Sequence, residues 1–268
     1  MQKMIVWGNC QAEALIHVLS LVPQIAEAFE IIYQKSYVSA AEQQEQLVQF
    51  ETADVFIRQT LFEWRNHPLR ETLPEKLRVI TFPLCYLGAM WPFDSFIFGN
   101  DNAMIASGAP FAFQDGLMAR LRTEFPDPEE RLARYISLDL PKPPDLRRNS
   151  AFDANRLLRS DENHGMTIGH LMLDTFRTER LFHTITHPAP PVVEHVAWEV
   201  LKALDLTLLR SDVPKFPDFM GYYQVPVHPR IIDHFGLSYV GPLTEYAFSP
   251  TERLTFEQYF RRYIEAAG

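Results

Sequence analysis

The first 83 residues alternate short apolar runs with helix-patterned segments, and few folds accept that order. Met4-Ile5-Val6-Trp7 is an apolar run of strand length, closed by Gly8-Asn9-Cys10. From Gln11 to Val22 the spacing of Ala12, Leu15, Ile16 and Leu19 predicts a helix, with Pro23 as its stop. A second strand falls within Phe29 to Val38, and a Gln/Glu-rich helix spans Ala40 to Phe50. Ala53 to Ile57 forms a third strand that runs into Arg58-Gln59-Thr60. A short helix around Asn66 to Leu73 leads to a fourth strand, Leu77 to Phe82, stopped by Pro83. Strand and helix in strict turn predict an α/β fold with a doubly wound, mostly parallel sheet. Ligands of such sheets bind outside the carboxyl ends of the strands. Gly8-Asn9-Cys10, Arg58-Gln59 and Pro83-Leu84-Cys85 therefore carry the functional expectation.

The pattern changes after Pro83. Leu84 to Pro110 is aromatic and irregular, with Tyr86, Trp91, Phe93, Phe96 and Phe98, and a loop of that length packs over a site or serves one. Beyond it, Phe113 to Glu124, Pro128 to Ile136 and Thr167 to Leu181 pattern as helices, with a proline-rich link at Leu140 to Pro144. The sharpest stripe is Val192, Val193, Val196, Ala197, Val200, Leu201 and Leu204, behind Pro188-Ala189-Pro190-Pro191. Thr251 to Ala267 is amphipathic. We expect one domain over 1–268: an α/β core with its active-site loop in 1–110, and a largely helical C-terminal extension, 111–268, packed on it.

Composition narrows the function classes. A formal charge of −9 gives no general attraction to nucleic acid or anionic lipid, so any phosphorylated ligand must be held by local cations. No uncharged stretch reaches the ~18 residues that cross a bilayer, and the apolar run at the start is too short for a signal peptide. Two cysteines, Cys10 and Cys85, make no disulfide framework and point to a reducing, cytoplasmic setting.

Gly8-Asn9-Cys10-Gln11 is the best-placed motif. Glycine permits a tight turn after the strand. A cysteine in the first turn of a helix sits among unpaired N–H groups at the positive dipole end, which predicts a lowered thiol pKa. Those N–H groups, with Asn9 and Gln11, are also suited to an oxyanion. The plain alternative is a small buried cysteine used for packing. A dinucleotide fingerprint needs glycine where Cys10 and Glu13 stand, and the Gly-Lys-Ser/Thr ending of a P-loop is missing. A cysteine phosphatase needs arginine six residues after the cysteine, where Ile16 stands. Acyl chemistry fits the turn better than phosphate cradling.

The motif resembles the opening of the WcbI-like family of capsular polysaccharide biosynthesis proteins, acetyltransferases that bind coenzyme A. Further similar segments are Ala53-Asp54-Val55 leading to Gln59, Trp91-Pro92-Phe93-Asp94, and Thr186-His187-Pro188 before a long helix. The resemblance implies an SGNH-like or flavodoxin-like sheet with cysteine in place of the usual serine nucleophile. SGNH enzymes carry Asp-x-x-His near the C-terminus; here Asp233 and His234 are adjacent, and Gly99-Asn100-Asp101 lacks the extra residue of the corresponding block.

A thiol nucleophile needs a base. Of nine histidines His187 leads, because it precedes a helix and matches the family segment; His17, about two turns down the first helix and facing away from the turn, reads as structural, and His67, His195 and His228 have no chemical partner in the sequence. His183-x-x-x-His187 has the spacing of paired metal ligands on a helix, but no Glu or Cys pair accompanies it and Pro188 ends the turn, so no metal is expected. Coenzyme A or acetyl-coenzyme A is the expected cofactor, as substrate. Lys35, Arg58, Arg147, Arg148, Arg177 and Arg180 are candidates for its phosphates, with Arg58 favoured by its place after a strand. Gly8 allows close approach, Tyr86, Trp91 and Phe93 either line an acceptor or pantetheine groove or pack the loop on the core, and Gln59 either donates to an acyl oxygen or bonds the loop backbone. The expected reaction is acetyl transfer to a sugar or polysaccharide hydroxyl, with Cys10, His187, Asn9, Gln11 and Gln59 as its residues. The alternatives are a carbohydrate esterase or deacetylase using the same cysteine, and a non-catalytic protein that binds carbohydrate or a partner.

Overall fold

The computed structural model describes residues 1–94, 111 and 114–267. Phe96, Phe98 and Gly99-Asn100-Asp101 lie outside the described residues. The chain forms two compact units, one of Met1–Cys85, Arg156–Leu173 and Thr186–Asp218, the other of Tyr86–Asn155, Asp174–Ile185 and Phe219–Gly268.

The first unit is built on a four-stranded parallel sheet of β1 (Gln2–Gly8), β2 (Phe29–Lys35), β3 (Val55–Thr60) and β4 (Arg78–Pro83), in the order β2-β1-β3-β4. β1 is central and buried on both faces, which is why Met4 to Trp7 is apolar without alternation. On one face Ile5, Trp7 and Phe56 pack with Phe50, Trp64 and Leu77. Trp7 meets Trp64 edge to face at 5.3 Å, and Phe50 meets Phe56 at 4.8 Å. On the other, α1 (Cys10–Leu19) packs on α8 (Pro190–Ala203). The valine-rich stripe predicted for α8 is the face it buries, and Pro190 and Pro191 open it where missing N–H groups cost nothing.

Several local expectations shift. Pro23 begins α2 (Pro23–Ala28) at its first position, four residues beyond the end of α1. The segment expected as a helix around Asn66 to Leu73 is two 3-10 turns, Phe62–Asn66 and Pro68–Arg70. Pro68 forces His67 into an extended conformation between them. α3 (Ala40–Gln49) matches its expected bounds and starts on a Ser39/Glu42 capping box. The helix expected to reach Leu181 is α7 (Ile168–Thr175), closed by Thr178 bonding back to the Thr175 carbonyl. Before it, the 19-residue α6 (Leu146–His164), divided between the two units, had no sequence signal because its apolar stripe is sparse.

The second unit holds α4 (Gly116–Glu124), α5 (Pro128–Ser137), α9 (Pro229–Phe235), a hairpin of β5 (Glu245–Ala247) and β6 (Arg253–Thr255), and α10 (Phe256–Ala267). Its core gathers Phe93, Tyr135, Leu254, Phe256, Tyr259 and Phe260. Asp115 caps α4 through Met118 N–H at 2.8 Å and accepts a short bond from Tyr135. No helix among the described residues is long and apolar enough to cross a membrane.

Gly8 ends β1 where the chain has no room for a side chain. A Cβ there would lie 2.7 Å from Gln59 Oε1 and 2.8 Å from both Gln59 Cβ and Ala12 Cβ. Gly8→Ala is expected to destabilise the protein by about 1–3 kcal/mol, the usual cost of overpacking, as read from denaturant unfolding midpoints.

Candidate active site

In the order β2-β1-β3-β4, chain connections leave β1 toward β2 and return past it to β3. The crevice at that reversal lies outside the carboxyl ends of β1 and β3. The turn Gly8-Asn9-Cys10 occupies it. Asn9 is the N-cap of α1, extended at φ −87°, with Oδ1 accepting from Gln11 N–H at 2.9 Å. Its carbonyl accepts from Ala12 N–H at 2.9 Å and from the Tyr33 hydroxyl at 3.0 Å.

Buried amides fix this turn to the rest of the unit. Asn9 N–H donates to Gln59 Oε1 at 3.0 Å, and Gln59 Nε2 donates to Gln11 Oε1 at 2.9 Å. Gln11 Oε1 also accepts from Cys85 N–H at 2.9 Å. Gln11 Nε2 donates at 2.7 Å to both the Cys85 and the Thr186 carbonyls. A primary amide has two donors, so the Gln11 side chain is fully committed. Gln59 is wholly buried. The expectation that these side chains donate to an acyl oxygen is therefore corrected: they are struts, and Gln59 takes the backbone-bonding alternative. Through Thr186 the same strut holds the residue preceding His187, which is half-buried ahead of α8.

Cys10 keeps partial solvent exposure at the first turn of α1, so it is not sealed in the core. Its thiol is nevertheless pushed up to about 11, first by burial and then by the Glu13 carboxylate, while the N–H groups of Cys10 and Gln11 pull weakly the other way. The lowered pKa expected from the helix start is thus overturned, because lost hydration of a thiolate outweighs the dipole. Tyr33 and Tyr37 complete the surroundings. Both phenols are raised, burial being the first cause, and both feel the charges of Cys10 and Glu13. Sequence reasoning missed these three neighbours. Glu13 stood one helical turn beyond Cys10, and Tyr33 lies two residues from the end of β2, beside Val6.

Arg58 and Gln59 point to opposite faces because strand side chains alternate. Gln59 lies on the α1 face; Arg58 stacks over Trp64 on the other, its guanidinium carbon 4.8 Å from the ring centroid. Tyr86 and Trp91 belong to the second unit, where Trp91 is buried and its Nε1–H donates to the Val225 carbonyl at 3.2 Å. Trp91 serves that unit's packing, the plain alternative for these aromatics.

Three other histidines take part in hydrogen bonds away from the Cys10 turn. His195 bonds Thr167 at 3.0 Å, His228 the Tyr135 carbonyl at 2.9 Å, and His164 the Thr60 hydroxyl at 2.9 Å. The segment from His183 to His187 is bent rather than helical. Among the described residues, no three His, Cys, Asp or Glu side chains are gathered as a metal would need.

Fold and site define an α/β protein with a partly exposed cysteine residue at the switch point of a parallel sheet. The chain belongs to the WcbI family: the model described as polysaccharide biosynthesis enzyme WcbI matches residues 3–209. A solved structure of WcbI has a TM-score of 0.77 to this chain at 20% identity, over 100% of this chain and 91% of its own. It is described as the native protein without a disulfide bond between coenzyme A and one of its cysteines. No curated protein sequence matches the chain.

Removing the central strut should be costly. Gln11→Ala leaves the Cys85 N–H and carbonyl, the Thr186 carbonyl and Gln59 Nε2 short of a partner, and is expected to cost at least about 3 kcal/mol in unfolding experiments. Alkylation of Cys10 by iodoacetamide follows the thiolate fraction. Its rate should climb about tenfold per pH unit from pH 7 to 10 without a plateau, and Glu13→Gln should move the profile to lower pH.

Proposed function

We propose that the protein transfers an acyl group, acetyl in the simplest case, from its coenzyme A thioester to a sugar hydroxyl in polysaccharide biosynthesis. The carrying observation is the position of Cys10, a partly exposed residue, at the first turn of α1 and at the sheet's switch point. Family membership supports the pathway, and the coenzyme named with the WcbI structure supports the donor. The reading keeps the SGNH-like comparison, with a nucleophile after the first strand and cysteine in place of serine, and it places the work in the cytoplasm.

In this reading the Cys10 sulfur attacks the thioester carbonyl while its proton passes to His187. The carbonyl oxygen becomes an oxyanion facing the Cys10 N–H, since the Gln11 and Ala12 N–H groups are held by Asn9. Collapse expels coenzyme A, whose sulfur takes the proton from His187. A sugar hydroxyl then attacks the acyl-cysteine, its proton moves to His187, and the departing Cys10 sulfur recovers it. Asn9 shapes the turn, Gln11 and Gln59 are positioning residues, and Gly8 lets the strand end close against Gln59. Because Cys10 rests as a neutral thiol, the base is needed for the first step and not only for the second.

Acetyl-coenzyme A at a hundred times its dissociation constant should stabilise the native state by about 2.7 kcal/mol, read as a rise in melting temperature. No rise at millimolar ligand overturns the reading. Cys10→Ala should abolish acetyl transfer to a sugar acceptor while keeping the wild-type melting behaviour, and full activity in that variant excludes Cys10 as nucleophile. Acetate release from model esters without coenzyme would identify an esterase instead.

A further inference from the structure

In the second unit most charges around α4 and α5 are already matched. Arg120 pairs with Glu124 at 3.5 Å, and Arg134 with Glu130 at 3.7 Å and Asp139 at 2.8 Å. Arg261 of α10 takes Glu129 and Glu257, and Asp127 caps α5 by accepting from Glu130 N–H at 2.8 Å. Arg122 and Arg131 are left over: among the described residues no carboxylate pairs with either. Arg122 is exposed, but Arg131 is only 4% exposed. Its Nε–H donates to the Phe125 carbonyl at 3.1 Å and its Nη2 to the Pro126 carbonyl at 2.9 Å, which ties the end of α4 to α5. A guanidinium has five N–H groups, and the others on Arg131 have no protein acceptor among the described residues. A buried cation without a counter-ion is costly. This one borders a cavity of about 350 Å³, lined by Arg122, Pro126, Pro128, Arg131, Ile264 and Glu265. Small-molecule sites span roughly 300–1,000 Å³ and combine apolar walls with a few polar groups, as this lining does.

We propose that this cavity binds an acidic saccharide, with a phosphate or carboxylate borne on the sugar held by Arg122 and Arg131. A guanidinium fork matches either oxyanion through two parallel N–H bonds. The Phe125 and Pro126 carbonyls fix the Arg131 fork before a ligand arrives, so little side-chain freedom is lost on binding. Glu265 argues against a bare anion, which it would repel, and for a ligand that also brings donors: an ionised carboxylate only accepts, and sugar hydroxyls donate. Pro126, Pro128 and Ile264 offer apolar surface to the C–H face of a ring. Membership of a polysaccharide biosynthesis family makes a saccharide the ligand class in keeping with that chemistry. The site uses neither Cys10 nor the acyl-transfer reading.

The test is calorimetric titration of the full chain with glucose 6-phosphate, glucuronate, glucose and inorganic phosphate, in the wild type and in Arg122→Gln, Arg131→Gln and Glu265→Ala. Arg122 and Glu265 are exposed, so their variants keep the fold even where loss of the Arg131 bonds loosens α4 from α5. One of the two acidic sugars should bind about tenfold more tightly than glucose or inorganic phosphate, and the tighter of them identifies the anion. Arg122→Gln and Arg131→Gln should each weaken it by about tenfold, the worth of one charge-assisted hydrogen bond. Glu265→Ala should bring the acidic sugar and inorganic phosphate closer together in affinity, which a purely structural role for these residues would not do. No binding of either acidic sugar, inorganic phosphate bound as tightly as both, or affinities unchanged in Arg122→Gln overturns the site. An unaltered gap between sugar and phosphate in Glu265→Ala overturns the saccharide assignment. Each of these failures leaves acetyl transfer standing, since that is read separately from acetyl-coenzyme A binding and turnover.

Discussion

The first unit depends on how one buried glutamine is satisfied. Gln11 meets four groups from three places in the chain: Gln59 on β3, both backbone polar atoms of Cys85 beyond β4, and the Thr186 carbonyl ahead of α8. Each of these would otherwise be a buried polar atom in want of a partner, and in a low-dielectric interior the penalty is large. The amide therefore sets distances that apolar packing alone leaves loose. It fixes the start of α1 against β3, and it does so from the residue next to Cys10.

Much of the first unit was legible because strand and helix periods differ. Met4 to Trp7 and the α8 stripe announce themselves in short windows, and the carboxyl-edge rule singled out the turn at Cys10. What escaped was information about direction. Arg58 and Gln59 are neighbours in sequence and both follow an apolar run, yet alternation sends one to Trp64 and the other to Gln11. Pro23 reads equally as a stop and a start, and only the brevity of the link decided it. α6 was invisible because a helix held by few apolar contacts has little hydrophobic period to detect.

The Cys10 thiol shows a second limit of local reasoning. The helix start does favour a thiolate, but its effect is small beside the hydration lost on burial and the nearby Glu13 carboxylate. Glu13 was in plain view three residues on. Its negative charge, one helical turn from the sulfur, opposes the helix start. Tyr33 and Tyr37 come from β2 and just beyond it, and only the parallel pairing of β1 with β2 brings them near.

A neutral thiol and an unpaired arginine make complementary sense within one acidic chain. Where Glu13 and two phenols surround the sulfur, negative charge is disfavoured, so any sulfur that reacts or departs there must trade a proton rather than carry charge. Where Arg58 has no carboxylate partner among the described residues and raises the local potential at His67, negative charge is better tolerated. The two regions thus differ in the charge they accept, although both belong to one chain of formal charge −9.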